Sequence, residues 1–412
     1  MHKYQKNKRM KVALIKERKN PPDRRVVLTP KQAKELMEIY PDLDIIVEKS
    51  DLRAFSDEEY SEMGIPVVED VSDADVLLGV KEVPVQALIP NKKYFFFSHT
   101  IKKQPYNRPL LQAILDKNID LYDHETIVDD QGRRLVAFGY YAGVVGAYNT
   151  IRAYGKKTGL FDLPRAIDLK DKNALYDALK KIKPLLPPLK IVLTGKGRVG
   201  NGAKEVLDAM GLKEVSPEEF LNQTFNEPVY TQIDVDWYNK RKDGGTFDFQ
   251  EFFSRPELYE GDFGKFTKVA DIYIAGHFYG QGAPYILTKE HLQSPDNQIK
   301  VVGDISCDIN GPVASTIKAS TIDNPIYGYN PQTGEEMDYK DEKAIACMTV
   351  DNLPNEIARD ASEGFGENFV KYIIPAFFNG DKDGILKRAQ MTHKGQLTER
   401  FKYLQDYVDG KE

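Results

Sequence analysis

The chain has 412 residues, 41% of them apolar and 29% charged, an ordinary globular composition with core enough for two or three domains. A net charge of −6 and a pI near 5.7 argue against nucleic acid or an anionic membrane as the main partner. The only cysteines are Cys307 and Cys347, so no disulfide framework is expected, and a reducing cytoplasm is the simplest compartment.

The basic start, residues 1–11, leads into an apolar run at 12–15 that is too short for a signal-peptide core. Through the first third, apolar segments at 11–15, 44–47, 76–80, 94–97 and 121–122 read as strands. Helical patterns at 30–40, 56–63 and 109–117 lie between them. Such alternation predicts a parallel sheet covered on both faces. The longest uncharged stretch, 135–151, is broken by three glycines and three tyrosines and is shorter than the ~20 apolar residues of a membrane span. It reads as part of a long buried helix, 139–155, joining two lobes, with 184–188 as the linker into the second.

The second lobe opens on Lys190-Ile-Val-Leu-Thr-Gly195-Lys-Gly197-Arg198-Val-Gly200-Asn-Gly-Ala203. An apolar strand stops at the glycines, and Ala203, Val206, Leu207 and Met210 then recur at helical spacing. Gly195 permits a tight turn, Gly197 lets backbone approach a pyrophosphate, and Gly200 lets helix and strand pack closely. The helix start offers unpaired N–H groups and the positive dipole end to phosphates. Strand, glycine turn and helix in that order predict dinucleotide binding. Further parallel strands are expected at 269–275 and 300–305. The polar segment 220–266, rich in Tyr, Phe and Asp, exceeds a normal crossover and reads as an arm or flap. From residue 350 the chain reads as helical, packing back on the first lobe. The expected domains are 1–138 with 355–412, a connecting region 139–188, and 189–354 carrying the insert 220–266.

Two first-lobe strands end in reactive side chains, Gly-Val-Lys81-Glu82 and Phe-Ser-His99-Thr-Ile-Lys102. Ligands bind at the carboxyl ends of parallel strands, so Lys81 and His99 would face one crevice and carry protons there. A solvated lysine and a core histidine are the alternatives. Arginine forks suit carboxylates, which makes Arg25, Arg133 and Arg134, together with Lys102, candidates for an anionic substrate. Asp308 and Asp351 could hold a ribose, an amide or an ammonium, or could cap helices. His2, His124, His277, His291 and His393 read as structural or surface residues. No histidine or cysteine pair has metal-ligand spacing, so no metal is expected.

These residues stand in an order that resembles one family. The set is Arg25…Leu-Thr-Pro30, Gly-Val-Lys81-Glu82, Phe-Ser-His99-Thr-Ile-Lys102, Asp-Gln-Gly-Arg133-Arg134…Phe138-Gly-Tyr-Tyr-Ala-Gly143, the glycine fingerprint, Asp304-Ile-Ser-Cys-Asp308 and Val-Asp351-Asn-Leu-Pro354. It is similar to the lysine-forming saccharopine dehydrogenases, especially the lysine–ketoglutarate reductase half of the bifunctional lysine-degrading enzyme. A more distant similarity is to alanine dehydrogenase and the nucleotide-binding transhydrogenase subunit. The resemblance implies an α/β fold of two Rossmann-like, doubly wound parallel-sheet domains with the active site in the cleft between them. It implies a reversible condensation of lysine with 2-oxoglutarate to saccharopine, with NAD or NADP as cofactor, in a monomer or homodimer. A related amino-acid dehydrogenase and a non-catalytic dinucleotide sensor are the alternatives.

By the same resemblance, Lys81 and His99 match the acid–base pair, and Glu82 and Glu125 match carboxylates that tune them. Arg25, Lys102, Arg134, Phe138 and Asp308 match substrate-contacting positions. Arg133, Gly195, Gly197, Arg198, Gly200, Ile305 and Asp351 match dinucleotide-contacting positions. Two departures stand out. Where NAD-type members carry a ribose-binding acid after the fingerprint helix, this chain reads Lys213-Glu-Val-Ser216. That predicts weak discrimination or a preference for NADP, unless Asp234 or Asp236 folds back to the ribose. The insert 220–266 is the second departure, and it is like the reductase half.

Overall fold

The computed structural model describes residues 9–411; most of the basic start, and His2 with it, lies outside the described residues. The chain divides into two compact units, Met1–Ala137 with Ala358–Glu412, and Phe138–Ile357.

The first unit is built on six parallel strands, β1 (Met10–Leu14), β2 (Leu43–Glu48), β3 (Val67–Val68), β4 (Val76–Leu78), β5 (Lys93–Phe96) and β6 (Asp120–Asp123). Their spatial order is 3-2-1-4-5-6. Chain direction across the sheet reverses at β1, which places crossovers on opposite faces and opens a crevice past the carboxyl ends of β1 and β4. The crossovers carry α1 (Pro30–Ile39), α2 (Asp57–Glu62) and α3 (Arg108–Asp116). Thr29 with Gln32 and Ser56 with Glu59 form reciprocal capping boxes that start α1 and α2. Val12, Ala13, Val47, Leu77, Phe95 and Phe96 are fully buried. The last residues complete this unit: Met391 N–H donates to the Leu121 carbonyl at 2.8 Å, and Met391, Phe401, Leu404 and Tyr407 join its core. This final stretch is mostly helical but includes a small hairpin, Thr392–His393 with Gln396–Leu397, that its sequence does not announce.

The second unit starts with α4 (Gly139–Thr158) and α5 (Lys172–Ile182), followed by β7 (Lys190–Thr194), α6 (Arg198–Ala209), β8 (Lys213–Glu214), α7 (Pro217–Asn222) and β9 (Val229–Ile233). Its sheet is completed by β12 (Ile272–Ala275), β13 (Val301–Asp304), β14 (Ile326–Tyr329), β15 (Glu336–Met337) and β16 (Ile345–Met348), after a separate two-stranded pair, β10 (Asn239–Arg241) with β11 (Tyr259–Gly261). The order is 15-14-16-13-12-7-9-8. Strands 16, 13, 12, 7, 9 and 8 run parallel, while β14 and β15 are antiparallel at one edge. The α/β class therefore holds for both units, but the second sheet is mixed where a wholly parallel one was expected. α4 lies tightly on α6: a Cβ on Gly143 would sit 2.0 Å from the Val199 carbonyl, and one on Gly202 would sit 2.0 Å from that of Tyr140. Among the described residues no helix is long and apolar enough to cross a membrane.

One expectation is corrected. Residues 220–266 are not an insert throughout, because β9 lies within them and pairs in parallel with β7 from Lys190↔Val229 to Thr194↔Ile233. All five β9 residues are buried although three are polar. The Tyr230 hydroxyl bonds Lys204 and Asp208 of α6, and the Gln232 amide donates to the Gly195 carbonyl at 2.8 Å. Polar partners on the fingerprint helix and turn let a polar-looking segment occupy the middle of a sheet. Residues 234–266 do stand outside the sheet, with Phe247, Phe252 and Tyr259 packed ring on ring.

Candidate active site

The carboxyl ends of β1, β4, β5 and β6 bring one group of titratable side chains together within the first unit. Past β5, His99 takes a left-handed backbone, φ 56°, which points to a constrained position for a residue with a Cβ. Its Nδ1 lies 2.6 Å from Glu125 Oε1, just past β6, and its Nε2 lies 3.6 Å from Glu82 Oε1, past β4. Glu82 also pairs with Lys19 at 3.0 Å, and Lys102 Nζ stands 3.8 Å from Glu125. Burial alone would raise the Glu125 carboxyl, but the His99 hydrogen bond with the charges of Lys102 and Arg134 holds it below its ordinary range. The imidazole is thus gripped on Nδ1 by an ionised carboxylate, which leaves Nε2, on the Glu82 side, outside that bond.

Lys81 is half-buried past β4. Burial first, then the positive charges of Arg25 and Lys19, push its ammonium below the usual lysine value, against Asp23 and Glu82. Arg25 itself is buried in a two-pronged pair with Asp23, Nε–Oδ1 at 3.0 Å and Nη2–Oδ2 at 2.6 Å. That edge of its guanidinium, Nε with Nη2, is engaged by Asp23. Arg134 places its guanidinium 5.8 Å over the Phe97 ring and acts electrostatically on Glu125. Glu17, which sequence reasoning did not single out, belongs to this group. Its carboxylate accepts the Val80 and Lys81 N–H groups at 2.6 and 2.8 Å, and burial with the nearby charge of Asp23 pushes it up to about 8. The available signal was its place just past the first strand.

The glycine turn lies in the second unit, between β7 and α6. Gly195 has φ +97°, and a Cβ there would sit 2.4 Å from the Gly276 carbonyl. A Cβ on Gly200 would sit 2.0 Å from the Gly195 carbonyl, so this glycine allows the helix to rest on the turn. A Cβ on Gly197 would meet nothing within 4 Å, and Gly197 and Arg198 are exposed. Two glycines are thus required by the protein's own packing and the middle one leaves open room at the helix start, which fits a pyrophosphate. Of the two strands beside β7, β12 and β9, β9 is the one reached through α6, and dinucleotide folds carry a ribose acid at the carboxyl end of that strand. Asp234 stands there, next to Ile233, whose carbonyl accepts the Gly195 N–H at 2.9 Å. Ser216 instead caps α7, accepting the Glu219 N–H at 3.2 Å. Ser216 follows β8, a two-residue edge strand beyond β9, and so belongs one strand further from the turn than Asp234. Asp236 is exposed two residues further on.

The remaining predicted residues are divided between the units. Arg133 is in the first, exposed, with its guanidinium on Asp129 at 2.7 Å. Phe138, Ile305, Asp308 and Asp351 are in the second with the glycine turn. Phe138 is buried at the start of α4, Ile305 is buried and donates its N–H to the Ala275 carbonyl at 3.1 Å, and Asp308 and Asp351 are exposed.

Residues 13–145 match the alanine dehydrogenase/PNT N-terminal domain. The chain is 28% identical to alpha-aminoadipic semialdehyde synthase of Arabidopsis thaliana over 95% of its own length and 41% of that protein. It is 30% identical to the mitochondrial alpha-aminoadipic semialdehyde synthase of Rattus norvegicus over 97% of its length and 48% of that protein. It thus spans about half the length of these curated relatives. Against the saccharopine dehydrogenase [NAD(+), L-lysine-forming] of Yarrowia lipolytica it is 28% identical over 86% of its length and 89% of that protein. Among solved structures, an L-alanine dehydrogenase superposes with a TM-score of 0.66 at 16% identity, covering 97% of this chain and 100% of that one. A transhydrogenase from Sinorhizobium meliloti gives 0.59 at 17% identity, covering 94% and 98%. These structural likenesses concern the fold.

Proposed function

We propose that this chain, 28% identical to lysine-forming saccharopine dehydrogenases over 86% of its length, is a nicotinamide-dependent oxidoreductase acting on the CH–NH bond of an amino acid. The finer reading is the reversible condensation of L-lysine with 2-oxoglutarate to saccharopine. One observation carries it: a relative of that name aligns over 89% of its own length; the His99–Glu125 pair and a glycine turn open at its middle glycine support the reading.

In this reading the lysine ε-amine attacks the keto carbon of 2-oxoglutarate, water leaves, and the resulting imine carbon is reduced. The dinucleotide, when bound, supplies or accepts the hydride. His99, steadied on Nδ1 by Glu125, exchanges a proton through Nε2 as the carbinolamine loses or gains water. Lys81, its ammonium destabilised by burial and by Arg25, reaches the neutral form more readily than a solvated lysine, and as the free amine it takes the proton that the substrate ε-ammonium must lose before it attacks. Lys102 and Arg134 attract the substrate carboxylates, while Arg25, held by Asp23, acts through its field. Gly197 and the start of α6 receive the pyrophosphate, with Asp234 placed for a ribose 2′-hydroxyl, which favours NAD over NADP. Arg133, Phe138, Ile305, Asp308 and Asp351 keep the cofactor and substrate contacts that the family resemblance assigns them.

The test is lysine-dependent oxidation of NADH in the presence of 2-oxoglutarate, with saccharopine identified as product. Turnover with another amino donor and none with lysine would reassign the substrate. Tight dinucleotide binding without turnover of any amino or keto acid would make the chain a sensor.

A further inference from the structure

Three consecutive side chains, Asp123, His124 and Glu125, reach from the carboxyl end of β6 to the ends of both neighbouring catalytic segments. Glu125 takes His99 Nδ1, as above. Asp123, wholly buried, accepts the Ser98 N–H at 2.9 Å and also the Ser98 hydroxyl, and its other oxygen accepts the Glu125 N–H at 2.7 Å. Ser98 immediately precedes His99, whose left-handed backbone persists only if its flanks are fixed. The Ser98 hydroxyl continues to the other flank, 2.8 Å from Thr100 Oγ1.

His124 does the same for Lys81. It is wholly buried, with Nε2 2.8 Å from the Gly79 carbonyl oxygen. A carbonyl only accepts, so Nε2 carries the hydrogen and Nδ1 does not. Nδ1 has no hydrogen-bond partner among the described residues, and the ring sits in a cage of Phe97, Phe365 and Phe369, with centroids at 4.9, 5.1 and 5.4 Å. Burial, assisted by Arg134 and opposed by the Gly79 bond, pushes the imidazole down to about 3, so it is a fixed neutral donor near neutrality. Gly79 lies two residues before Lys81, and the intervening backbone is held from elsewhere by Glu17. A phenyl ring would pack among three phenylalanines without burying an unpartnered nitrogen. What histidine alone adds is the N–H on Gly79.

We infer that Asp123 and His124 are positioning residues for the reaction: one turn after β6 sets the orientation of His99 through Ser98 and of Lys81 through Gly79. This rests on the reading of Lys81 and His99 as proton carriers. The decisive variants are His124→Phe, which keeps the ring and removes the donor, and His124→Gln, which restores an N–H near the place of Nε2. His124→Phe should lower kcat for saccharopine formation roughly 10²-fold, the effect of about 1 Å of misplacement. It should move the limb of the pH–rate profile that Lys81→Met abolishes, and leave the NADH dissociation constant, read by fluorescence titration, within about twofold. His124→Gln should recover about tenfold or more of the lost rate. Ser98→Ala should move the limb that His99→Gln abolishes, and it carries the test alone if His124→Phe does not fold. Parent-like kcat and pH profile in folded His124→Phe, or in Ser98→Ala when it stands alone, would overturn the inference. Equal impairment of His124→Phe and His124→Gln, with both melting early, would overturn it too, because the role would then be packing. If Lys81→Met and His99→Gln themselves retain activity, the functional reading falls and takes this inference with it. If those two are inactive while His124→Phe is normal, only the inference falls.

Discussion

At the scale of single residues, burial acts against the ordinary charge of Lys81 and of Glu356. His99 lies between Glu125 and Glu82, and Lys81 feels the charges of Arg25, Asp23, Lys19 and Glu82 at the strand ends of the same unit. If they relay protons, Lys81→Met and His99→Gln should each lower kcat by roughly 10²–10⁴-fold and lose one limb of the pH–rate profile. Dinucleotide affinity, measured by titration of the same variants, should hold if, as proposed, the phosphates rest on Gly197 in the other unit. Rates within a few-fold of the parent would make the pair structural. A second residue-scale prediction concerns Glu356, buried just before the chain returns to the first unit. Burial pushes its carboxyl from 4.5 up to about 7, although the Asn149 amide, 2.8 Å away, and the charges of Arg152 and Arg165 pull the other way. The folded protein therefore keeps a proton that the unfolded chain has already released, so the parent loses stability as pH rises from about 4.5 to about 7. Glu356→Gln has no such proton to release. In urea melts its stability relative to the parent should rise between pH 4.5 and pH 8 by on the order of 3 kcal/mol. The same difference at both pH values would show that the carboxyl is not held neutral.

At the scale of elements, the three glycines of the β7–α6 turn separate packing from binding. Gly197→Ala meets no protein atom, so thermal stability should stay within about 0.5 kcal/mol while the dinucleotide dissociation constant rises. Gly200→Ala collides with the Gly195 carbonyl and should cost about 1–3 kcal/mol as well as binding. If Gly197→Ala binds as the parent does, the phosphates lie elsewhere. This turn was legible in the sequence because glycine roles are set by backbone geometry that leaves a fixed spacing. The strands β1, β2, β4 and β5 were legible because each carries an apolar run, and β6 through its Leu121-Tyr122 pair. β9 was not, since Tyr230 and Gln232 disguise a fully buried strand by bonding the helix and turn beside it. Likewise, the sequence exposed Lys81 and His99 as reactive types at strand ends, but not Glu17, Asp123 or the donor role of His124. Their part depends on which backbone groups the strand order brings alongside. With Asp234 now at the end of the strand next to β7, the parent should prefer NADH, and Asp234→Ser should narrow the NADH/NADPH ratio of kcat/KM by about tenfold or more, ~1.4 kcal/mol. A parent ratio near one would mean that Asp234 does not reach the ribose.

For the molecule as a whole, the division into two units separates the chemistry into parts that can be addressed one ligand at a time. Lys81, His99, Glu82, Glu125 and Lys102 all lie in Met1–Ala137, while the glycine turn and Asp234 lie in Phe138–Ile357, and each unit has its own buried core. A ligand that binds only the native state stabilises it by RT ln(1 + [L]/Kd), about 2.7 kcal/mol at a hundredfold excess over Kd. Hydrogen exchange resolves where that stabilisation falls, because amides open in cooperative blocks. NADH at this excess should therefore slow exchange in β7, α6 and β9 by close to that amount and leave the amides of β1 and β4–β6 much less affected. Adding 2-oxoglutarate should then protect the strand ends around Gly79–Glu82 and Ser98–Lys102. The second effect should be lost in His99→Gln and Lys102→Ala while the first survives. Protection by NADH confined to β1–β6 would put the nucleotide in the wrong unit. Equal protection of both sheets by NADH alone would mean that the two units open as one block, and the assignment of ligand to unit would then have to rest on the glycine and Asp234 variants.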